Sequence, residues 1–259
     1  MTGATGFLGR QIVRALADAG WRVRVLARRD PVDALWRHIE LEVAPGDLED
    51  DGAMGRLCAG ADVVVHAAGV VKARSRAEFD RVNVEGARRL SVAAAATPHV
   101  VLVSSLSARE PGLSHYSASK RAGEVAMAAI LGDRLTIARP CAIYGPGDRE
   151  LLPVFQAAAS LPVLPVLSPT ARVTMIHVGD AARQIVDLAA VYPAGRTVAL
   201  SDTRTDGYSW RELMQQAAHA CGRSPWLVPI PRGLIHTLGI TNDLMGLLGA
   251  APIDRKSVV

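Results

Sequence analysis

Two rhythms of apolar and polar residues take turns along the first 140 positions of this chain. From Gly6 to Ala19, Leu8, Ile12, Val13 and Leu16 recur at helical spacing, and Gly20 supplies a stop signal. "WRVRVLA" reads as a strand, and "IELEVA" as a second that ends at Pro45-Gly46. "ADVVVHAAG" is nearly all apolar, as a strand buried on both faces must be. Residues 75–96 read as a helix, "HVVLVSS" as a strand, 114–131 as a helix, and "RLTIARP" as a strand stopped by Pro140. Strands that alternate with helices predict an α/β fold, a doubly wound parallel sheet with right-handed crossovers.

Beyond Pro140 the texture changes to "IYGPGDRELLP" and "SLPVLPVLSP", rich in Pro and Gly. A short strand "RVTMIHV" is expected to lead into a helix from Asp180, "SWRE" has capping-box spacing with Ser209 and Glu212, and "WLVPIP" with the apolar 233–249 segment closes the chain. The predicted division is a nucleotide-binding domain over 1–147 and a small C-terminal substrate lobe with terminal core elements over 148–259.

Composition narrows the function. With 49% apolar and 21% charged residues in 259, the chain reads as an ordinary globular protein with no internal repeat. No apolar run reaches the roughly 18 residues that a bilayer crossing needs. The cysteines Cys58, Cys141 and Cys221 are scattered, which argues against a metal or disulfide framework and fits a reducing cytoplasm. The net charge of +4 is dispersed, so nucleic acid is not an expected partner, nor is a membrane. The expected partners are a small-molecule substrate and a second copy of the chain. Of the 29 basic residues only Lys72, Lys120 and Lys256 are lysines, so a compact ammonium stands out wherever it occurs.

Three segments carry chemistry. Gly3, Gly6 and Gly9 open the first helix, where glycines permit a tight turn and close approach to a pyrophosphate, and the helix N-terminus favours an anion. After the "VRVLA" strand stand Arg28 and Arg29, with Asp30 one or two positions late; arginine there suits the 2′-phosphate of NADP, so NADP is favoured over NAD. Asp47 in "PGDLED" is placed to meet the adenine edge or simply to form a turn. In "HYSASK", Tyr116 and Lys120 lie four apart and share a helix face, downstream of a strand that ends in Ser104 and Ser105. A nearby ammonium is expected to lower the phenol pKa, a serine hydroxyl to hold the substrate oxygen, and Tyr116 to transfer the proton as hydride moves.

The ordered set "TGATGFLG", "GDLED", "HAAG", "VNVEG", "VSS", "YSASK", "RPCAIYGPGD" and "IHVGD" resembles the short-chain dehydrogenase/reductase superfamily, in its extended and atypical NAD(P)-dependent epimerase/dehydratase-like branch. The resemblance implies a Rossmann-type fold and catalytic positions at Ser105, Tyr116 and Lys120. It implies cofactor contacts from the loop residues Thr5, Phe7 and Leu8, from Asp47 and Leu48, and from Ala67, Ala68 and Gly69. Pro140 to Ile143 would flank the nicotinamide, and Asn83 would lie behind the site, as a proton relay or as a structural side chain bonded to a neighbouring strand.

The chain also departs from that pattern. Only ten residues separate Ser105 from Tyr116, Gly179 stands where a second acidic residue is common, Asp180 reads as a helix cap, and the lobe lacks a basic cluster for a nucleotide diphosphate, with Arg149 and Arg172 as candidates for that role. The apolar, proline-rich lobe leans toward a smaller or less polar substrate. An NADP-dependent oxidoreductase for a carbonyl/secondary-alcohol pair is the leading expectation. A nucleotide-sugar epimerase or dehydratase is the second, and a non-catalytic NAD(P)-binding redox sensor or assembly factor the third. Since only Met1 precedes the glycine turn, a first strand is expected to be missing, the gene product to begin upstream, and this form to be poorly soluble and a weak dinucleotide binder.

Overall fold

The computed structural model describes residues 1–31, 33–166, 172–191 and 195–229; the apolar 233–249 segment lies outside them. The chain forms two compact units, one of Met1–Ile143 with His177–Leu200 and one of Tyr144–Ile176 with Ser201–Val259. The expected break after 147 is therefore a discontinuous one: residues 177–200 return to the first unit.

In the first unit, β1 (Val23–Ala27) pairs in parallel with β2 (Leu41–Pro45). A four-stranded parallel sheet runs Thr197–Leu200, β5 (Leu135–Pro140), β4 (His99–Val103), β3 (Val63–His66). All five residues of β4 are buried, as its apolar run requires. Met1 and Thr2 occupy the position expected for the missing strand. Leu26 N–H donates to Met1 O at 2.9 Å, and on the other side Thr2 N–H donates to Val65 O at 3.0 Å and Ala67 N–H to Thr2 O at 3.3 Å. These two residues thus join β1 to β3 in a parallel arrangement.

Helices cover both faces. On one, α1 (Phe7–Asp18) buries Ile12, Val13 and Leu16 and packs on the helix Val178–Val191, which buries Ile185 and Val186. On the other, α2 (Asp51–Cys58), α4 (Gly86–Ala93) and α5 (His115–Leu131) enclose a core that includes Met54, Leu57, Leu90, Val100, Leu102, Met127 and Leu131. Each such side chain is worth about 1.5–3 kcal/mol of burial. The helix expected over 75–96 is interrupted: α3 (Arg76–Phe79) runs through a π-helical turn, Asp80–Glu85, into α4. A helix anticipated from Asp180 begins instead at Val178, with His177 Nδ1 accepting from Gly179 N–H at 3.2 Å in the capping role and Asp180 paired with Arg183.

In the second unit, Val163–Val166 pairs in parallel with Trp226–Pro229, and the short strand Arg172–Val173 pairs antiparallel with Tyr208–Ser209. The expected strand "RVTMIHV" is split into Arg172–Val173 and Met175–His177. The capping box at Ser209 and Glu212 forms in both directions and starts the helix Trp210–Ala220.

Candidate active site

Every candidate in the first unit sits at a carboxyl end of a parallel strand or on the helix beside it, the edge where open α/β sheets place ligands. Gly3, at φ +71°, passes so close to the turn after β3 that a Cβ would stand 2.5 Å from Ala68 N and 2.6 Å from the Ala67 carbonyl carbon. Gly9 is held the same way, for a Cβ there would lie 1.9 Å from Gly3 O. The N-cap of α1 is Gly6, with no side-chain cap and no acidic residue in the first turn. The segment from Gly3 through Thr5, Phe7, Leu8 and Gly9 therefore offers backbone N–H groups and a positive helix end where the sequence places a pyrophosphate.

Arg28 and Arg29 follow β1 and are exposed; among the described residues neither forms a hydrogen bond or ion pair. Asp47, after β2, is exposed and accepts from Glu49 N–H at 2.9 Å, an Asx turn. Leu48 packs on Gly86, where a Cβ would be 3.0 Å from Leu48 Cδ1, and joins the core. Ala67, Ala68 and Gly69 follow β3, with Gly69 exposed. Pro140 ends β5 and is buried, while Ile143 is half-buried.

Asn83, buried in the π-helical turn, accepts from Val70 N–H at 2.9 Å and donates to Val70 O at 3.0 Å and to Ser119 Oγ at 2.9 Å. It thus pins the segment after Gly69 to α5. Gly123 lets α5 approach, since a Cβ there would be 2.4 Å from Asn83 O. Ser119 passes the chain on by donating to Tyr116 O at 2.8 Å.

Three consecutive residues at the end of β4, Val103, Ser104 and Ser105, meet α5. Lys120 Nζ donates to Val103 O at 2.8 Å. Ser104 Oγ donates to Glu124 Oε1 at 2.5 Å, and the Ser105 hydroxyl is the polar side chain that opposes the effect of burial on the Tyr116 phenol. Ser105 also accepts from Ser107 N–H at 3.2 Å and lies 3.0 Å from Ser107 Oγ. The residue pattern alone leaves the two serines equivalent and the family resemblance selects Ser105; in the structure Ser104 is turned to Glu124 and Ser105 faces Tyr116. Ser114 caps α5 by accepting from Ser117 N–H at 3.0 Å, and the Phe79 ring lies 6.3 Å from the Tyr116 ring.

The electrostatics differ from the expectation that an ammonium depresses the phenol. Burial pushes the Tyr116 phenol above its ordinary value, with the Ser105 hydroxyl opposing, and the Lys120 ammonium is engaged by a carbonyl instead. Burial pulls Lys120 down to about 8, with Glu124 opposing. Its Nζ lies 3.7 Å from where a Gly69 Cβ would be, at the turn after β3. His66, 2.7 Å from Thr2 Oγ1, is held down at about 3 by burial first and then by Lys120, so its ring is neutral. Sequence reasoning missed Glu124 and Arg139. The signal for Glu124 was its position one turn beyond Lys120; for Arg139 it was a charge inside an apolar strand.

The comparisons agree with this architecture. The sequence model of the NAD dependent epimerase/dehydratase family matches residues 1–198. A ceramide reductase of Caulobacter vibrioides is 54% identical over 253 residues, 97% of this chain and 79% of that protein. A 4-hydroxy-2-methyl-3-oxo-4-farnesyl-3,4-dihydroquinoline-1-oxide ketoreductase of Stigmatella aurantiaca is 31% identical over 174 residues, 59% of this chain and 52% of its own. The chain spans about half the length of two further curated relatives as well. The crystal structure of the dTDP-glucose 4,6-dehydratase DesIV from Streptomyces venezuelae, with NAD bound, superimposes with a TM-score of 0.72 at 22% identity, covering 99% of this chain and 92% of that one.

Proposed function

The chain belongs to the NAD-dependent epimerase/dehydratase family, and from that premise we propose that it is an NADP(H)-dependent reductase that converts a ketone of a long-chain lipid to a secondary alcohol. The observation that carries this reading is the convergence of Ser105, Tyr116 and a buried Lys120 where the end of β4 meets α5, on the strand edge where the glycine turn lies. The residues suit a dinucleotide: Gly3 packs its backbone directly on Ala67 and Ala68, the start of α1 beyond it carries no side-chain cap and no acidic residue, and the exposed Arg28 and Arg29 would meet a 2′-phosphate.

When bound, a nicotinamide would supply the hydride. Tyr116 then gives its proton to the carbonyl oxygen, which Ser105 orients by a hydrogen bond. A phenol pushed up by burial stays protonated at neutral pH, the form a reduction needs. Lys120, at the Gly69 turn, would hold the cofactor when it is bound and offers a positive charge beside the developing phenolate.

Two observations support a lipid over a nucleotide sugar. In the second unit Arg172 is committed to Asp206 and to the Gly207 carbonyl, and Arg204 to Glu212, Asp206 and the face of Tyr208. The same unit holds a cavity of about 160 Å³ walled by Tyr144, Phe155, Met175, Leu213 and Ala217, with Tyr208 and Gln216 as polar tips. A cavity of that size and lining favours an apolar occupant. The 54% identity to a ceramide reductase points to a ceramide-like N-acyl amino alcohol as the product class. The test is NADPH consumption, followed at 340 nm, on a long-chain 3-oxo amide and on a UDP-sugar. Stoichiometric oxidation with the amide supports the reading. Epimerised sugar with no net consumption overturns it.

A further inference from the structure

Of the three contacts between the end of β4 and α5, the outer two involve the reacting groups, yet the middle one is the most heavily braced. The Glu124 side chain is 2% exposed. Its carboxylate accepts from Ser104 Oγ at 2.5 Å, from Arg139 Nε at 2.8 Å and Nη2 at 2.6 Å, and from Arg121 Nη1 at 3.2 Å. Arg139 comes from β5, so the carboxylate gathers two strands and a helix at one point. Burying such a pair carries a large desolvation cost, and well-packed apolar residues often give equal or better stability. A packing role alone gives no reason for a carboxylate here.

We propose that Glu124 is a positioning residue: through Ser104 and Arg139 it fixes the register of α5 on β4 and β5, so that Ser105 meets Tyr116 and Lys120 rests between Val103 and Gly69. The inference depends on the assignment of Ser105, Tyr116 and Lys120 as the reacting groups. The geometry explains why neighbouring residues diverge. Ser104 is spent on Glu124, and this leaves Ser105, the next residue, to face the phenol. Glu124 also lies one turn from Lys120 and is the carboxylate whose charge favours the ammonium. The other titratable groups near Lys120 are Tyr116 on its own helix, a phenol, and His66 on β3, which is neutral. Arg139 opposes Glu124 from β5.

The chain has three lysines, so a protein labelled with ¹³C-lysine gives three Cε signals, assignable with Lys72→Arg and Lys256→Arg. In the wild type the Lys120 signal should titrate near pH 8. In Glu124→Gln it should titrate at lower pH, with Lys72 and Lys256 unmoved. Ser104→Ala, which keeps the charge but removes the strand contact, should lower kcat about tenfold, ~1.4 kcal/mol in the barrier, with KM for NADPH unchanged. The double variant Glu124→Leu/Arg139→Met replaces the pair with apolar groups and guards against misfolding of a single variant; folded, it should show the same loss of kcat. An unmoved Lys120 midpoint in Glu124→Gln, or wild-type kcat in the folded double variant, overturns the proposal. The lysine titration needs neither substrate nor cofactor, so failure of the reductase reading is seen separately, as a wild-type protein that reduces no ketone.

Discussion

The two ends of one sheet edge are built in opposite ways. At the end of β4, Val103 and Ser104 are hydrogen-bonded to α5 and Ser105 faces the Tyr116 phenol. At the end of β1, Arg28 and Arg29 project into solvent with no partner among the described residues. The difference separates two kinds of work. Groups that hand over a proton must stand in fixed geometry before the substrate arrives, because rate falls steeply with misplacement. Groups that recognise a charge on a ligand do better unpaired, since a preformed ion pair would have to be broken first. The glycine cradle belongs with the rigid end: its contacts are backbone against backbone.

The sharpest way to break the comparison is at the rigid end. Tyr116→Phe should lower turnover about 10²- to 10⁴-fold with the NADPH dissociation constant nearly unchanged. Lys120→Arg should not restore an inactive Lys120 variant, because a planar guanidinium does not replace a compact ammonium. Near wild-type rates in Tyr116→Phe would remove the phenol from the reaction.

The cradle comes next. Gly3→Ala would force a Cβ to 2.5 Å from Ala68 N at a φ of +71°. A strain of roughly 1–3 kcal/mol should appear as weaker NADPH binding, about five- to a hundredfold, or as a lower Tm. Gly6→Ala, whose Cβ would meet Gly3 O at 3.2 Å, should cost less. Titration and melting of both variants rank them.

At the free end the effect should be smaller and selective. Arg28→Ala/Arg29→Ala should reduce the preference for NADPH over NADH about tenfold while leaving Tm unchanged, since each arginine loses only a ligand contact. Equal loss of both cofactors would mean that the pair is not reading the 2′-phosphate.

The mildest lever is pH. Lys120 is held down to about 8, so its ammonium is present below that pH and is lost as pH rises through it. NADPH affinity should fall a few-fold between pH 7 and 8.5. In the same range the Tyr116 phenol, pushed up by burial, stays protonated, so the proton donor for reduction is retained. A flat affinity profile would contradict the role given to Lys120.

How much of this was legible in the sequence depended on range. Apolar runs announced β3, β4 and β5 because buried strands need them, and "SWRE" announced its capping box because both partners lie three residues apart. The spacing of Tyr116 and Lys120 placed them on one helix face for the same reason. What was missed was long-range or short. The eight-residue α2, capped by Asp50, is too brief for a periodic signal. The strand Thr197–Leu200 returns to the first unit only because β5 offers it an edge. Glu124, Ser104 and Arg139 sit on three elements, and no local pattern joins them. Asn83, open between relay and structural roles, is seen bonded to the Val70 backbone and to Ser119, with the π-helical turn presenting it. Arg172, a candidate for a nucleotide diphosphate, is taken by Asp206, a contact across 34 positions.

The central claim is that Tyr116 and a bound dinucleotide together reduce a lipid ketone. The most direct measurement uses NADPH deuterated at the transferable position, incubated with this chain and a long-chain 3-oxo amide. The account predicts a secondary alcohol carrying one deuterium on the former carbonyl carbon, one NADP⁺ formed per product, and neither in Tyr116→Phe. An unlabelled ketone recovered unchanged, or deuterium transferred at wild-type rate by Tyr116→Phe, would contradict it.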